Sequence, residues 1–420
     1  MESKMRSKIF VGIFLVSIIV CTVAFFNKSN SLPFDGLECS SNAQPIRQNE
    51  ESEIKMQTSD QNVYEESKKI AEIYRDIYED AVNGDNLGSL GVIQNIVSRL
   101  GEYGYAAVDT ENQNQIDMVH PELVEQFCRQ VDEKQEGEVT FFSIMESGGF
   151  IRFDLKTAKG KVYVTRSVLN WEGSMPKVGY KDSFEAYAWV YSENGYLFFD
   201  EALPPGYDGA PGYTAIRVKP LDKKCRELNR QYILPIGYGS NNMFILDWNE
   251  DDFDALDFYD LFDILYSDVY QRPTPYEKSV EGEVYRVPRE EFEKVIMSYF
   301  EIDSETLQDK TKYSKQDQIY EYRTRGFYDC ACSPNLPYPE VISYKENEDG
   351  TIKLTVNVVW PEKHLDKVFC HEVVVRPLSN GSFQYVSNHV IPSKKNVEPS
   401  WYTEKLTDEE REELDIPVVE

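Results

Sequence analysis

The chain has 420 residues, of which 41% are hydrophobic and 13% aromatic, enough apolar material for packed cores and too much for a disordered polymer. It carries 73 acidic against 44 basic side chains, a formal charge of −29, which argues against nucleic acid as a partner because phosphate backbones need basic patches. No H-E-x-x-H, G-x-S-x-G or P-loop pattern occurs, so the best-known signatures of metalloprotease, serine hydrolase and nucleotide chemistry are missing.

Ile9 to Phe26 is an uninterrupted uncharged stretch of 18 residues. At about 1.5 Å per residue it reaches roughly 27 Å, close to the thickness of a bilayer core. Lys4, Arg6 and Lys8 precede it, against the single acid Glu2. The positive-inside rule keeps this end in the cytoplasm and sends the rest of the chain outside. The expectation is a single-pass protein of the cell membrane, with residues 1–26 as cytoplasmic tip and transmembrane anchor and the bulk extracytoplasmic. A cleaved signal is one alternative, although Phe25 and Phe26 suit cleavage poorly and the run exceeds the roughly 7–15 residues of a signal core. Lipid attachment at Cys21 is another, and Val20 stands where a small residue is wanted.

Residues 27–61 are rich in Ser, Asn, Gln and Glu without apolar periodicity and read as a flexible stalk. A first domain is expected over 62–280. Val63, Ser67, Ile70, Tyr74, Ile77 and Ala81 fall on one helical face. Leu90, Ile93, Ile96, Val97 and Leu100 mark a second helix, broken by Gly101 and Gly104. Leu123, Val124, Phe127 and Val131 mark a third, with Pro121 in its first turn. The period then drops to two. Strands are expected at 139–145, 150–155 and 161–169, and a hairpin at 186–191 and 196–200 across Asn194-Gly195. Residues 203–212 form a Pro/Gly loop, 222–232 a short helix, and 246–268 a segment of nine acids and no base.

A second domain is expected over 281–395. Its helix, from Pro288 to Phe300, turns Phe292, Val295, Ile296 and Tyr299 inward. The polar stretch 303–318 reads as an excursion. Four strands follow, at 340–345, 351–360, 367–376 and 382–391, with Asp349-Gly350 and Asn380-Gly381 at turns. Ile352, Leu354, Val356, Val358 and Trp360 share the expected core face, beneath the helix. Residues 396–420 read as an acidic tail whose Thr407-Asp408-Glu409-Glu410 is a capping box. The fold class is therefore α+β: an N-terminal transmembrane helix, then two domains, each with helices followed by an antiparallel sheet.

The sharpest side-chain cluster is Cys330-Ala331-Cys332 with Cys370-His371. Zinc, one disulfide to Cys370, and free thiols all stay open, although Cys-x-Cys is not the usual zinc spacing and adjacent strand residues face opposite ways. Asp247, Asn249 and Asp251 begin like a calcium loop, which fails at Asp252 and Phe258. Asp254, Asp257, Asp260 and Asp263 recur every third residue, as on a solvated amphipathic helix. Tyr207, Tyr213, Tyr238, Phe327 and Tyr338 suit either loop plugs or stacking platforms, and the plug reading is preferred.

The segments GYDGAPGYTAIRVKPLDKKCRELNRQYILPIGYGSN (206–241) and YRTRGFYDCACSPNLPYPEV (322–341) resemble a family of membrane- or lipid-anchored extracytoplasmic proteins of clostridia-type Gram-positive bacteria. That family has no assigned activity, so the resemblance implies a location and no catalytic residue. The expectation is a non-catalytic binding or structural role in the cell envelope, without cofactor or metal. The membrane, through the N-terminal helix, and a cell-wall or envelope protein are the expected partners. The alternative is a hydrolase of wall glycan or peptide using a carboxylate pair.

Overall fold

The computed structural model describes residues 63–110, 116–207, 209–331, 335–414 and 416. The expected anchor, the stalk and Cys332 lie outside them. Among the described residues no helix is long and apolar enough to cross a membrane.

The architecture is α+β with several antiparallel sheets, in two compact units. One unit holds 63–110, 116–191 and 199–214; the other holds 192–198 and everything from 215 onward. The chain passes between them after β6 (Ala188–Tyr191) and again within the strands β7 (Tyr196–Asp200) and β8 (Tyr213–Arg217).

The first unit is built on a five-stranded sheet in the order β1 (Ala106–Asp109), β2 (Gly137–Ile144), β3 (Phe150–Ala158), β4 (Lys161–Glu172), β5 (Met175–Glu185). The helical pattern of 63–81 is present, interrupted at Tyr74. Ser67, Ile70, Tyr74 and Ala81 are buried on the expected face. They join Ile93, Ile96, Val97 and Leu100 of the Leu90–Glu102 helix against Phe142, Ile144 and Phe150 on one face of the sheet. The Pro121–Asp132 helix takes the other face, where Phe127 packs edge-on to Trp189, and Phe199 links Trp189 to Phe153. Three details differ from the sequence reading, the first being β5, which lies where no strand was expected and buries no side chain. Leu123 is exposed, and Cys128 takes the buried place on that helix. The sheet is also not wholly antiparallel, because β1 pairs parallel to β2. Ala106–Asp109 is too short to show a period.

The second unit is built on a sheet in the order β13 (Tyr338–Glu346), β14 (Ile352–Val359), β15 (Cys370–Pro377), β16 (Phe383–Val390), β9 (Trp248–Asn249). The four long strands match the period-two reading. Leu354, Val356, Val358 and Trp360 are buried together, with Ile352 packed at the edge of the same core as Phe292, Val295 and Ile296 of the Arg289–Tyr299 helix. The Phe258–Tyr270 helix and residues 225–236, grouped with the first domain in the sequence reading, contribute to that core as well. A smaller sheet, β10 (Val284–Pro288), β12 (Ile319–Arg323), β11 (Tyr313–Ser314), places Tyr320 and Tyr322 in it.

The stretch 303–318 is not an excursion. Asp303 caps a Ser304–Asp309 helix by accepting from the Thr306 amide at 2.9 Å, and Leu307 is fully buried. One apolar residue in a polar run anchors it. The acidic tail is likewise packed: Trp401 is 3% exposed and stacks on Phe369. The capping box is present, with the Glu410 amide donating to Thr407 Oγ1 and the Thr407 amide to Glu410 Oε2.

Candidate functional site

The cysteine cluster comes first. Cys330 is exposed, its thiol donating to the Gly326 carbonyl at 3.3 Å, whereas Cys370 is buried; both are free thiols. Cys370 lies opposite Asn357 and His371 opposite Val356, so strand alternation sends the cysteine and the histidine to opposite faces. Among the described residues no group of three or more His, Cys, Asp or Glu could hold a metal. Two of the three calcium-like side chains are engaged within the protein. Asp247 accepts from the Val390 amide at 2.6 Å and faces His389 Nδ1 at 3.1 Å, and Asn249 accepts from the Asp251 amide. Of the loop aromatics, Tyr238 is a buried plug, while Phe327 and Tyr207 stand exposed.

His371 sits in the core of the second unit, in a chain of hydrogen bonds. Asn388 Nδ2 donates to the Leu246 carbonyl at 2.7 Å, which leaves Asn388 Oδ1 to accept from His371 Nδ1 at 2.6 Å. Nε2 is then the acceptor for the Tyr238 hydroxyl, at 2.8 Å. Burial lowers the imidazole pKa to about 4, so it is neutral under ordinary conditions. It is fully buried, and its hydrogen bonds tie Tyr238, β15 and β16 together.

One opening in the second unit is a cleft of about 500 Å³. Its walls are the 255–259 loop, Lys310, Lys312, Glu321 and Arg323 from the small sheet and its approach, and the C-terminal segment from Tyr402 to Asp408. A neighbouring cavity of about 440 Å³ shares Leu256 and Lys310 with it. The lining is charged with both signs, and the cations have partners. Lys310 pairs with Asp254. Lys312 meets Asp408 at 2.6 Å and Glu321 at 3.8 Å, and Lys405 meets Asp260 at 2.9 Å and Asp257 at 3.7 Å.

The start of the Phe258–Tyr270 helix sets this geometry. Asp257 is its cap, accepting from the amides of Tyr259 and Asp260. Burial, and next the Asp260 charge, hold the Asp257 carboxyl above its usual range. Asp260 is 3% exposed and takes a bidentate pair from Arg325, Nε at 2.9 Å and Nη2 at 2.7 Å. Asp263 accepts from the Tyr322 hydroxyl at 2.7 Å and meets Lys278 at 2.6 Å. The period-three acids are therefore not one solvated face, since Asp260 is an internal anion matched to Arg325 and Lys405.

Asp329, fully buried, accepts from the amides of Gly326 and Leu406, both at 2.9 Å. Arg325 Nη1 donates to the Thr403 carbonyl at 2.8 Å, and Arg323 to the Leu406 carbonyl. Sequence reasoning passed over this set. Arg323, Arg325 and Asp329 did fall inside the quoted 322–341 segment, and Lys405 is one of two bases, with Arg411, in an acidic tail. Chemically the cleft offers matched charges, amides and two tyrosine rings. Asp257 and Asp260 do not form an open carboxylate pair, because Lys405 and Arg325 lie against them.

Among known protein families, residues 60–405 match the Family of unknown function (DUF6070). The comparison with curated proteins returned no match, nor did that with solved structures.

Proposed function

The chain belongs to this family of unknown function, and from its own chemistry we propose a membrane-anchored, extracytoplasmic protein that binds a component of the cell envelope and catalyses no reaction. The uncharged run from Ile9 to Phe26 supports the anchor. The resemblance of 206–241 and 322–341 to envelope proteins of clostridia-type bacteria supports the setting. The observation that carries the binding role is the charge-matched cleft. Catalytic groups work when an acid, base or nucleophile is left poised to react, and here Lys310, Lys312 and Lys405 already face carboxylates.

One observation favours the hydrolase reading. Asp257 keeps a raised carboxyl pKa at the cleft wall, as a general acid would. One experiment separates the two. Tagged full-length chain is incubated with detergent-extracted envelope and with purified wall, beside Lys312→Glu and Asp257→Asn chains. The binding reading expects an envelope component retained by the wild type, lost with Lys312→Glu, and no soluble wall fragments. Fragments released by the wild type and not by Asp257→Asn would establish the hydrolase instead, and a wild-type chain that retains nothing overturns the binding role.

A further inference from the structure

The C-terminal segment 403–406 is held in the way a bound peptide is held. Its backbone is read by side chains: Arg325 donates to the Thr403 carbonyl, Asp329 accepts from the Leu406 amide, and Arg323 donates to the Leu406 carbonyl. The side chain of Lys405 enters an acidic and aromatic cage. Its ammonium lies 2.9 Å from Asp260 and 3.7 Å from Asp257, with the rings of Tyr259 and Tyr322 at 5.6 and 6.0 Å. Leu406 is half-buried beside it, while the side chains of Thr403 and Glu404 point to solvent. The contacts thus select an extended backbone, one lysine and the aliphatic residue after it. They are indifferent to the two residues before.

From this geometry we infer that the groove beneath the C-terminal segment is a peptide-recognition site, that Thr403–Leu406 is its resident occupant, and that an extended partner peptide carrying a lysine followed by an aliphatic residue takes its place. The inference rests on the binding reading above and names its partner class. The charge argument selects the occupant. With Lys405 withdrawn, Asp257 and Asp260 are adjacent carboxylates answered only by Arg325, so a basic side chain is drawn in and an acidic one refused. The tether makes the resident segment a strong competitor. A covalently linked segment acts at an effective concentration on the order of millimolar, so a free peptide of equal contacts competes poorly with it. Trp401, packed edge-on to Trp360 and stacked on Phe369, is the fixed point from which the segment departs.

The test uses a synthetic peptide of the sequence Trp401 to Arg411 and three proteins: the full chain, the chain ended after Tyr402, and the full chain with Lys405→Ala. Binding is read by calorimetry. The shortened chain should take one peptide per molecule at least tenfold more tightly than the wild type. A peptide with alanine in place of its lysine should bind at least tenfold more weakly. If the shortened chain does not melt cooperatively, the full-length Lys405→Ala chain decides, and a tenfold gain in peptide affinity over wild type is expected. No gain in either folded variant overturns the inference. Retention of an envelope component by the wild-type chain is measured separately, so the peptide can fail while the binding role stands.

Discussion

At the scale of single residues, the buried polar groups of the second unit make the sharpest statements. His371 is neutral in the fold, its pKa lowered to about 4 by burial, and takes its ordinary value near 6.5 once unfolded. Between those values the unfolded chain binds more protons than the folded one. Stability is therefore intact above about pH 6.5 and falls as the pH drops towards about 4, by up to about 3 kcal/mol. Denaturant melts across this range, compared between the wild type and His371→Gln, isolate the effect. The stability gap between the two proteins should narrow by that amount as the pH falls, and a constant gap would mean that the imidazole is not held neutral. Asp260 gives a second prediction. It is 3% exposed and faces Arg325 in a bidentate pair. Asp260→Ala strands a buried guanidinium and should cost about 3–5 kcal/mol. A loss under about 1 kcal/mol, the size of an exposed pair, would place Arg325 in solvent.

At the scale of elements, β14 shows what a sequence can specify. Alternation placed Leu354, Val356 and Val358 on one face, and all three are fully buried. Lys353 is turned to the other face, where it meets Glu372 at 2.9 Å on the adjacent strand. Val356→Ala should cost about 2 kcal/mol through the cavity it leaves, and Lys353→Ala no more than about 0.5 kcal/mol. Both belong in the full-length chain, since the core beneath β14 also draws on Phe244, Leu261 and Phe262, which a 281–395 fragment lacks. Urea midpoints ranked the other way round would shift the strand register by one residue. Periodicity made the long strands and helices legible because burial on one face repeats along them. It missed Met175–Glu185, an eleven-residue strand with no buried side chain, and Ala106–Asp109 and Ser304–Asp309, where the decisive features are a parallel neighbour and a single buried leucine. The cleft stayed hidden for a related reason. Asp260, Arg325, Asp329 and Lys405 are up to 145 residues apart (405 − 260) and share no spacing that a motif could capture.

At the scale of the whole molecule, helices 223–228 and 258–270 were legible as helices but not in their allegiance, because amphipathicity says that a face is buried and not which sheet buries it. The proposed anchor belongs to this scale too. As a helix, the uncharged run from Ile9 to Phe26 would reach about 27 Å, the length the proposal needs to cross a bilayer core with its backbone hydrogen bonds made. Lys4, Arg6 and Lys8 disfavour translocation of that end, which is the basis of the proposed direction. Cleavage needs small residues at the end of the run, and Phe25-Phe26 are the wrong shape. The chain made in its native host should therefore stay with the membrane through high-salt and carbonate washes and leave it only with detergent. Its N-terminal sequence should begin upstream of Ile9, and protease added outside intact cells should digest everything beyond the stalk. A mature start near Leu32 would identify a cleaved signal, and a blocked, lipid-modified start at Cys21 a lipoprotein. Either result removes the helical anchor from the proposal but keeps its extracytoplasmic half, because both routes also carry the remaining chain outward.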